Sequence, residues 1–151
     1  TTEIDKKVAE DLALIAGVDY KKYALDMFKA GTSLEGLTKE EVIKSDFKSF
    51  PIGDEKMAIG QVFTLDVDRI FDELDTYIEK LEEINNKEGY KFIIIVITDI
   101  LKNGSYLIFT ENAKSVLESI YKLDDIKQGY YVDGLVSRKK QILPAILSEL
   151  N

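Results

Sequence analysis

Phe92-Ile93-Ile94-Ile95-Val96-Ile97-Thr98-Asp99 is the segment around which the architecture can be built. Residues 92–97 are a continuous run of Ile, Val and Phe with no polar face. A strand of that composition is covered on both sides and sits in the middle of a sheet. Thr98-Asp99 then falls at its carboxyl end, where the ligand sites of α/β sheets collect. Asp99 reads equally as a helix N-cap or a turn residue.

Neighbouring strands follow on both sides. Residues 57–65 alternate, with Met57, Ile59, Gln61, Phe63 and Leu65 on one face and small, mostly apolar Ala58, Gly60 and Val62 on the other. Both faces of that strand are therefore covered. Gln61 stands mid-strand on an apolar face, and a buried glutamine needs partners, in a loop or a ligand. Residues 46–52 read as a short strand with Pro51 near its exit, and Gly53-Asp54 is a turn signal. Downstream, residues 106–110 make a strand, joined to the central one through Asn103-Gly104, which points to an antiparallel pair. Residues 129–132 supply a last strand.

The segments between are helical. Asp66 or Asp68 opens a long helix to about residue 86, with Ile70, Leu74, Ile78 and Leu81 as its apolar stripe. Ala113, Val116, Leu117, Ile120 and Tyr121 mark another, and residues 142–150 a terminal one with Pro144 in its first turn. Thr38 with Glu41 fits a capping box before a short helix at 39–44. Two further stripes precede it: Ile4, Val8, Leu12 and Ile15, stopped by Gly17, and Tyr20, Tyr23, Ala24, Met27 and Phe28, closed by Gly31. The order predicts an α/β domain over 1–151, a mixed β-sheet of about five strands flanked by helices on both faces.

Composition narrows the chemistry. The 151 residues include no cysteine, no histidine and no tryptophan. Thiolate nucleophiles, disulfides and zinc–thiolate sites are excluded, and the commonest general base is absent. Metal chemistry would rest on carboxylates, which suit magnesium or calcium better than zinc. The net charge of −8 makes a poor partner for nucleic acid or an anionic membrane. No apolar run reaches the ~18 residues of a membrane span, and the opening Thr1-Thr2-Glu3-Ile4-Asp5 is no signal peptide. A soluble, cytoplasmic protein is expected. The first residue is Thr rather than Met, which hints that the chain is a piece of a longer one.

Against that acidity, Ser137-Arg138-Lys139-Lys140-Gln141 sets three cations in a row between a strand and a helix. Cations beside helix N-terminal N–H groups make an anion site, arginine with a planar fork and lysine with a compact charge. The same tract reads as a solvated basic patch. Lys48 shares a strand face with Phe50 and reads either as a second anion contact or as an edge-strand lysine that discourages strand addition. Tyr130 and Tyr131 read as packing residues before site residues. The acidic runs 72–75 and 79–83 read as a helix's wet face.

Gly134-Leu135-Val136-Ser137-Arg138-Lys139-Lys140-Gln141-Ile142-Leu143-Pro144 resembles the C-terminal signature of family II inorganic pyrophosphatases, the manganese- or cobalt-dependent branch of the DHH phosphoesterase superfamily. Asp46-Phe47-Lys48 resembles the family's Asp-x-Lys segment, Ile59-Gly60-Gln61-Val62 its glycine-glutamine strand, and Val96-Ile97-Thr98-Asp99 its strand ending in Thr-Asp. The resemblance implies the DHH-associated C-terminal domain of such an enzyme, a mixed sheet between helices. It implies that Arg138, Lys139 and Lys48 hold the phosphoryl oxygens of pyrophosphate, with Ser137, Lys140 and Gln141 in support. It places no catalytic residue and no metal ligand in this chain. Manganese, cobalt or magnesium would be bound by an N-terminal Asp-His-His domain of the same polypeptide. The isolated chain is then expected to be monomeric and inactive. The same resemblance fits an exopolyphosphatase-like relative, and a freestanding, non-catalytic anion-binding module is the reading from another class.

Overall fold

The computed structural model describes Leu34 and residues 36–150, which belong to one unit beginning at Leu34. The two helical stripes expected at 4–15 and 20–28 lie outside the described residues. The strands are β1 (Phe47–Ile52), β2 (Glu55–Thr64), β3 (Ile93–Asp99), β4 (Gly104–Phe109) and β5 (Tyr130–Asp133), hydrogen-bonded in the order β1-β2-β3-β4-β5. β3 is buried at every position and lies in the middle, as its composition predicts. It runs parallel to β2, from Ala58 opposite Ile93 to Thr64 opposite Asp99. Every other pairing is antiparallel, so the sheet is mixed.

The helices are α1 (Lys39–Ile43), α2 (Val67–Phe71), α3 (Leu74–Glu88), α4 (Lys114–Tyr121) and α5 (Leu143–Leu150). They divide between the two faces by strand alternation. Ala58, Val62, Ile93, Ile95, Ile97 and Ile108 point to the side packed by α1, α2 and α3. Met57, Ile59, Ile94, Val96, Leu107 and Phe109 point to the side packed by α4 and α5. Each isoleucine sealed between these layers contributes about 1.5–3 kcal/mol over its exposed state. Gly60 marks a close approach of helix to sheet. A Cβ there would lie 2.8 Å from Ile95 Cδ1 and 3.1 Å from the Ile43 carbonyl oxygen, so α1 rests directly on the β2 backbone.

The local signals act where expected. Thr38 Oγ1 accepts from Glu41 N at 3.1 Å while Glu41 Oε1 accepts from Thr38 N at 3.0 Å, a complete capping box at α1. Those bonds hold the Glu41 carboxyl below its ordinary range. The β1–β2 hairpin turns at Gly53-Asp54 with Gly53 at φ +60°, the positive value that the first central residue of a type II′ turn requires.

Two expectations need correction. The long helix from residue 66 or 68 is broken into α2 and α3, with Asp72 and Glu73 between them. Negative charge is favoured at a helix N-terminus, and Asp72, Glu73 and Asp75 all gather where α3 begins. The terminal helix starts through a looser turn, Arg138–Ile142, in which Leu143 N reaches back five residues to the Arg138 carbonyl. Pro144 follows without an N–H to offer the regular ladder.

One exposed cluster makes a pH prediction. Asp125 accepts from Lys114 at 2.7 Å and Lys127 at 2.5 Å. Lys114 first and then Lys127 lower the Asp125 carboxyl to about 2. Its folded pKa lies below its unfolded one, so the contribution is present above pH ~4 and lost as pH falls toward 2. Asp125→Asn is expected to lower the melting temperature above pH ~4, where the contribution is present, and to converge on wild type as pH falls toward 2, flattening the profile between pH 4 and 2. An unchanged slope between pH 4 and 2 would remove the pair from the account. No helix among the described residues is long and apolar enough to cross a membrane.

Candidate functional site

Strand pairing sets the site at one edge of the sheet. Lys48 lies opposite Ile59 in the β1–β2 ladder and so shares its face, the one packed by α5. The turn Arg138–Ile142 leads into α5 on that side. The Arg138 side chain connects the two. Its Nη1 donates to the Asp46 carbonyl at 2.7 Å and the Ile59 carbonyl at 3.2 Å, and its Nη2 donates to Asp46 Oδ1 at 3.1 Å. Arg138 is only 7% exposed. Its guanidinium is thus bonded to the residue that begins the Asp46-Phe47-Lys48 segment and to the residue directly across from Lys48.

This changes the division of labour among the cations. Three guanidinium N–H groups are engaged internally, leaving the Nε–H and one Nη2 hydrogen without a partner among the described residues. The Asp46 carboxylate also offsets the charge of Arg138. Lys48, Lys139 and Lys140 are exposed, and none forms an ion pair among the described residues. Arg138 therefore supplies geometry, and the lysines supply uncompensated positive charge. Such an arrangement attracts an anion with several oxygens.

The flanking polar residues serve the turn itself. Ser137 Oγ accepts from Lys140 N at 3.2 Å, capping the turn. Gln141 Oε1 accepts from Val136 N and Ser137 N, each at 2.8 Å, and its Nε2 donates to the Gly134 carbonyl at 2.8 Å. Both side chains bond the backbone of the turn.

Other candidates resolve into structure. Asp99 Oδ1 accepts from Leu101 N at 3.0 Å, the turn reading of that residue. Tyr130 and Tyr131 pack against Tyr121 and Tyr106, with ring centroids 5.8 and 4.9 Å apart. Among the described residues, no three Asp, Glu, His or Cys side chains gather as a metal group. No local feature of the chain marks what holds Arg138, because two of its acceptors are backbone carbonyls 92 and 79 residues away.

Comparison with known proteins follows the same lines. The DHHA2 domain model matches residues 25–148. The chain is 40% identical over 153 aligned residues to a probable manganese-dependent inorganic pyrophosphatase of Clostridium acetobutylicum, covering 99% of this chain and 48% of that protein. It is 35% identical over 147 residues to the manganese-dependent inorganic pyrophosphatase of Methanocaldococcus jannaschii, covering 97% and 48%. Among solved structures, it matches a Methanococcus jannaschii protein assigned to the family II inorganic pyrophosphatases, with a TM-score of 0.77 and 34% identity, over 100% of this chain and 49% of that one. The chain spans about half the length of the curated relatives it matches.

Proposed function

Because the chain belongs to the DHHA2 domain family, we propose that it is the substrate-gripping domain of a manganese-dependent inorganic pyrophosphatase, which converts diphosphate and water to two phosphates. One observation carries the reading: a buried Arg138 ties the turn bearing Lys139 and Lys140 to the strand bearing Lys48, and all three lysines lack an internal counter-ion among the described residues. The relatives named as manganese-dependent pyrophosphatases support it over nearly the whole chain.

In this reading residues 1–151 are one DHH-associated domain. Manganese, and the activation of water it would provide, belong to an N-terminal Asp-His-His domain of the same polypeptide. This chain's part is electrostatic. Lys139 and Lys48 neutralise phosphoryl oxygens, and the two remaining N–H groups of Arg138 direct them. Closure of the two domains then completes the site and excludes water. The chain alone is monomeric, the enzyme works in the cytoplasm, and nucleic acid and membranes are not its partners.

Calorimetric titration of the chain with pyrophosphate tests the site. We expect weak binding that falls steeply with salt and drops about tenfold or more for Lys139→Ala and for Lys48→Ala, since each removes a charge-assisted contact. Unchanged affinity in both variants would refute the assignment. Affinity that climbs with polyphosphate length would turn the reading toward an exopolyphosphatase-like enzyme.

A further inference from the structure

The segment between β5 and the cationic turn is held to an unusual degree. Residues 134–137 carry four backbone N–H groups and four carbonyls, and every one has a partner. Gly134 N donates to the Asn103 carbonyl and Leu135 N to the Val132 carbonyl. Val136 N and Ser137 N both reach Gln141 Oε1. The Gly134 carbonyl takes Gln141 Nε2, and the Ser137 carbonyl takes Gln141 N. The Leu135 carbonyl accepts from Ser105 Oγ, and the Val136 carbonyl accepts from Gln61 Nε2 at 2.9 Å.

The last two bonds come from the sheet. Gln61 on β2, Thr98 on β3 and Ser105 on β4 form a polar row across three strands. Gln61 Nε2 donates to Thr98 Oγ1 at 3.2 Å, and Thr98 Oγ1 lies 2.8 Å from Ser105 Oγ. Gln61 is 6% exposed, Thr98 3% and Ser105 0%, on a face otherwise lined by apolar side chains. Buried polar groups in such a place need a complete set of partners. Here the set ends at the carbonyls of Leu135 and Val136, immediately before Ser137-Arg138-Lys139.

We propose that Gln61 is a positioning residue for the cationic turn. Its amide fixes the Val136 carbonyl to the rigid centre of the sheet, and through it the approach of Arg138 and Lys139 to a bound phosphoryl group. This deepens the pyrophosphatase reading and rests on it. A cation held before the ligand arrives binds without the cost of ordering, so Gln61 acts on affinity although it touches no ligand.

The test compares Gln61→Met, which keeps the volume and loses both donors, with Thr98→Val, which disturbs the row but leaves the Gln61–Val136 bond. Three quantities are read on the 151-residue chain: pyrophosphate affinity, the denaturation midpoint, and hydrogen exchange at the Val136 and Ser137 amides. Gln61→Met is expected to lose roughly tenfold in affinity and gain about tenfold in exchange at those amides, the effect of one lost hydrogen bond. Thr98→Val is expected to stay within about twofold of wild type in affinity at a similar loss of stability. Equal losses of affinity in the two variants, tracking stability, would overturn the positioning role. So would unchanged exchange in Gln61→Met. Should Lys139→Ala bind as tightly as wild type, the site assignment itself fails, while the exchange measurement still decides whether Gln61 holds the turn.

Discussion

Replacing Arg138 by alanine is expected to destabilise the domain by about 2–4 kcal/mol, because a buried hydrogen bond from a charged donor contributes about 1.5–3 kcal/mol. Two such bonds are at stake, those to the carbonyls of Asp46 and Ile59, and the Asp46 carbonyl keeps a second donor in Gln61 N at 2.8 Å. The Asp46 carboxylate adds less, since its side chain is 46% exposed and can rehydrate. Urea unfolding should read this as a midpoint lowered by about 1–2 M, given slopes of about 1–3 kcal/mol/M for domains of this size. Arg138→Lys recovers only part, since one ammonium cannot reproduce the fork that meets three acceptors. Lys139→Ala is exposed and should stay within about 0.5 kcal/mol of wild type. A midpoint for Arg138→Ala within error of wild type would show that the guanidinium does not anchor the turn. The contrast matters for any binding experiment: loss of affinity in Arg138→Ala mixes folding with recognition, whereas Lys139→Ala reports recognition alone.

Hydrolysis gives the second large effect. The isolated chain, supplied with manganese and pyrophosphate, is expected to show no turnover above the uncatalysed rate. It offers no histidine and, among its described residues, no cluster of carboxylates to hold the metal. In the two-domain protein proposed above, Lys139→Ala is expected to lower kcat/KM by ~10²–10³, the usual loss when one preorganised donor to a charged transition state is removed. Robust metal-dependent turnover by the rigorously purified chain would overturn the division of labour proposed above. A loss below about threefold in the two-domain variant would take Lys139 out of the site.

How far the sequence reached depends on how local each cause is. β3 was legible because Ile93, Ile94, Ile95, Val96 and Ile97 leave no polar face, and only a central strand covered twice accepts that. The α1 cap was legible because Thr38 and Glu41 satisfy each other three residues apart. The break between α2 and α3 was not, because acids on a helix's wet face and acids at a new N-terminus look alike until the chain turns. The site was legible in part. Three cations in an acidic chain stand out by type, and the family resemblance added Lys48. Which cation is buried did not show, because the environment of Arg138 is made of carbonyls that every residue possesses. Gln61 announced itself as a polar residue on an apolar strand face, yet its partner, the Val136 carbonyl, lies 75 residues away.

The Arg138–Asp46 contact also has a kinetic side. It joins residues 92 positions apart, and contacts between distant residues form only after the long loop between them has been closed. Strands β1 to β5 and helices α2 to α4 all lie inside that loop. The two ends of the site therefore come together as the last helix docks on the first hairpin. A chain stalled short of that step presents its lysines separately, without the concentrated charge that draws a polyanion. If the proposed site captures phosphate, that capture reports a finished fold, and a ligand spanning Lys48 and Lys139 fastens the first strand of the sheet to the segment after its last.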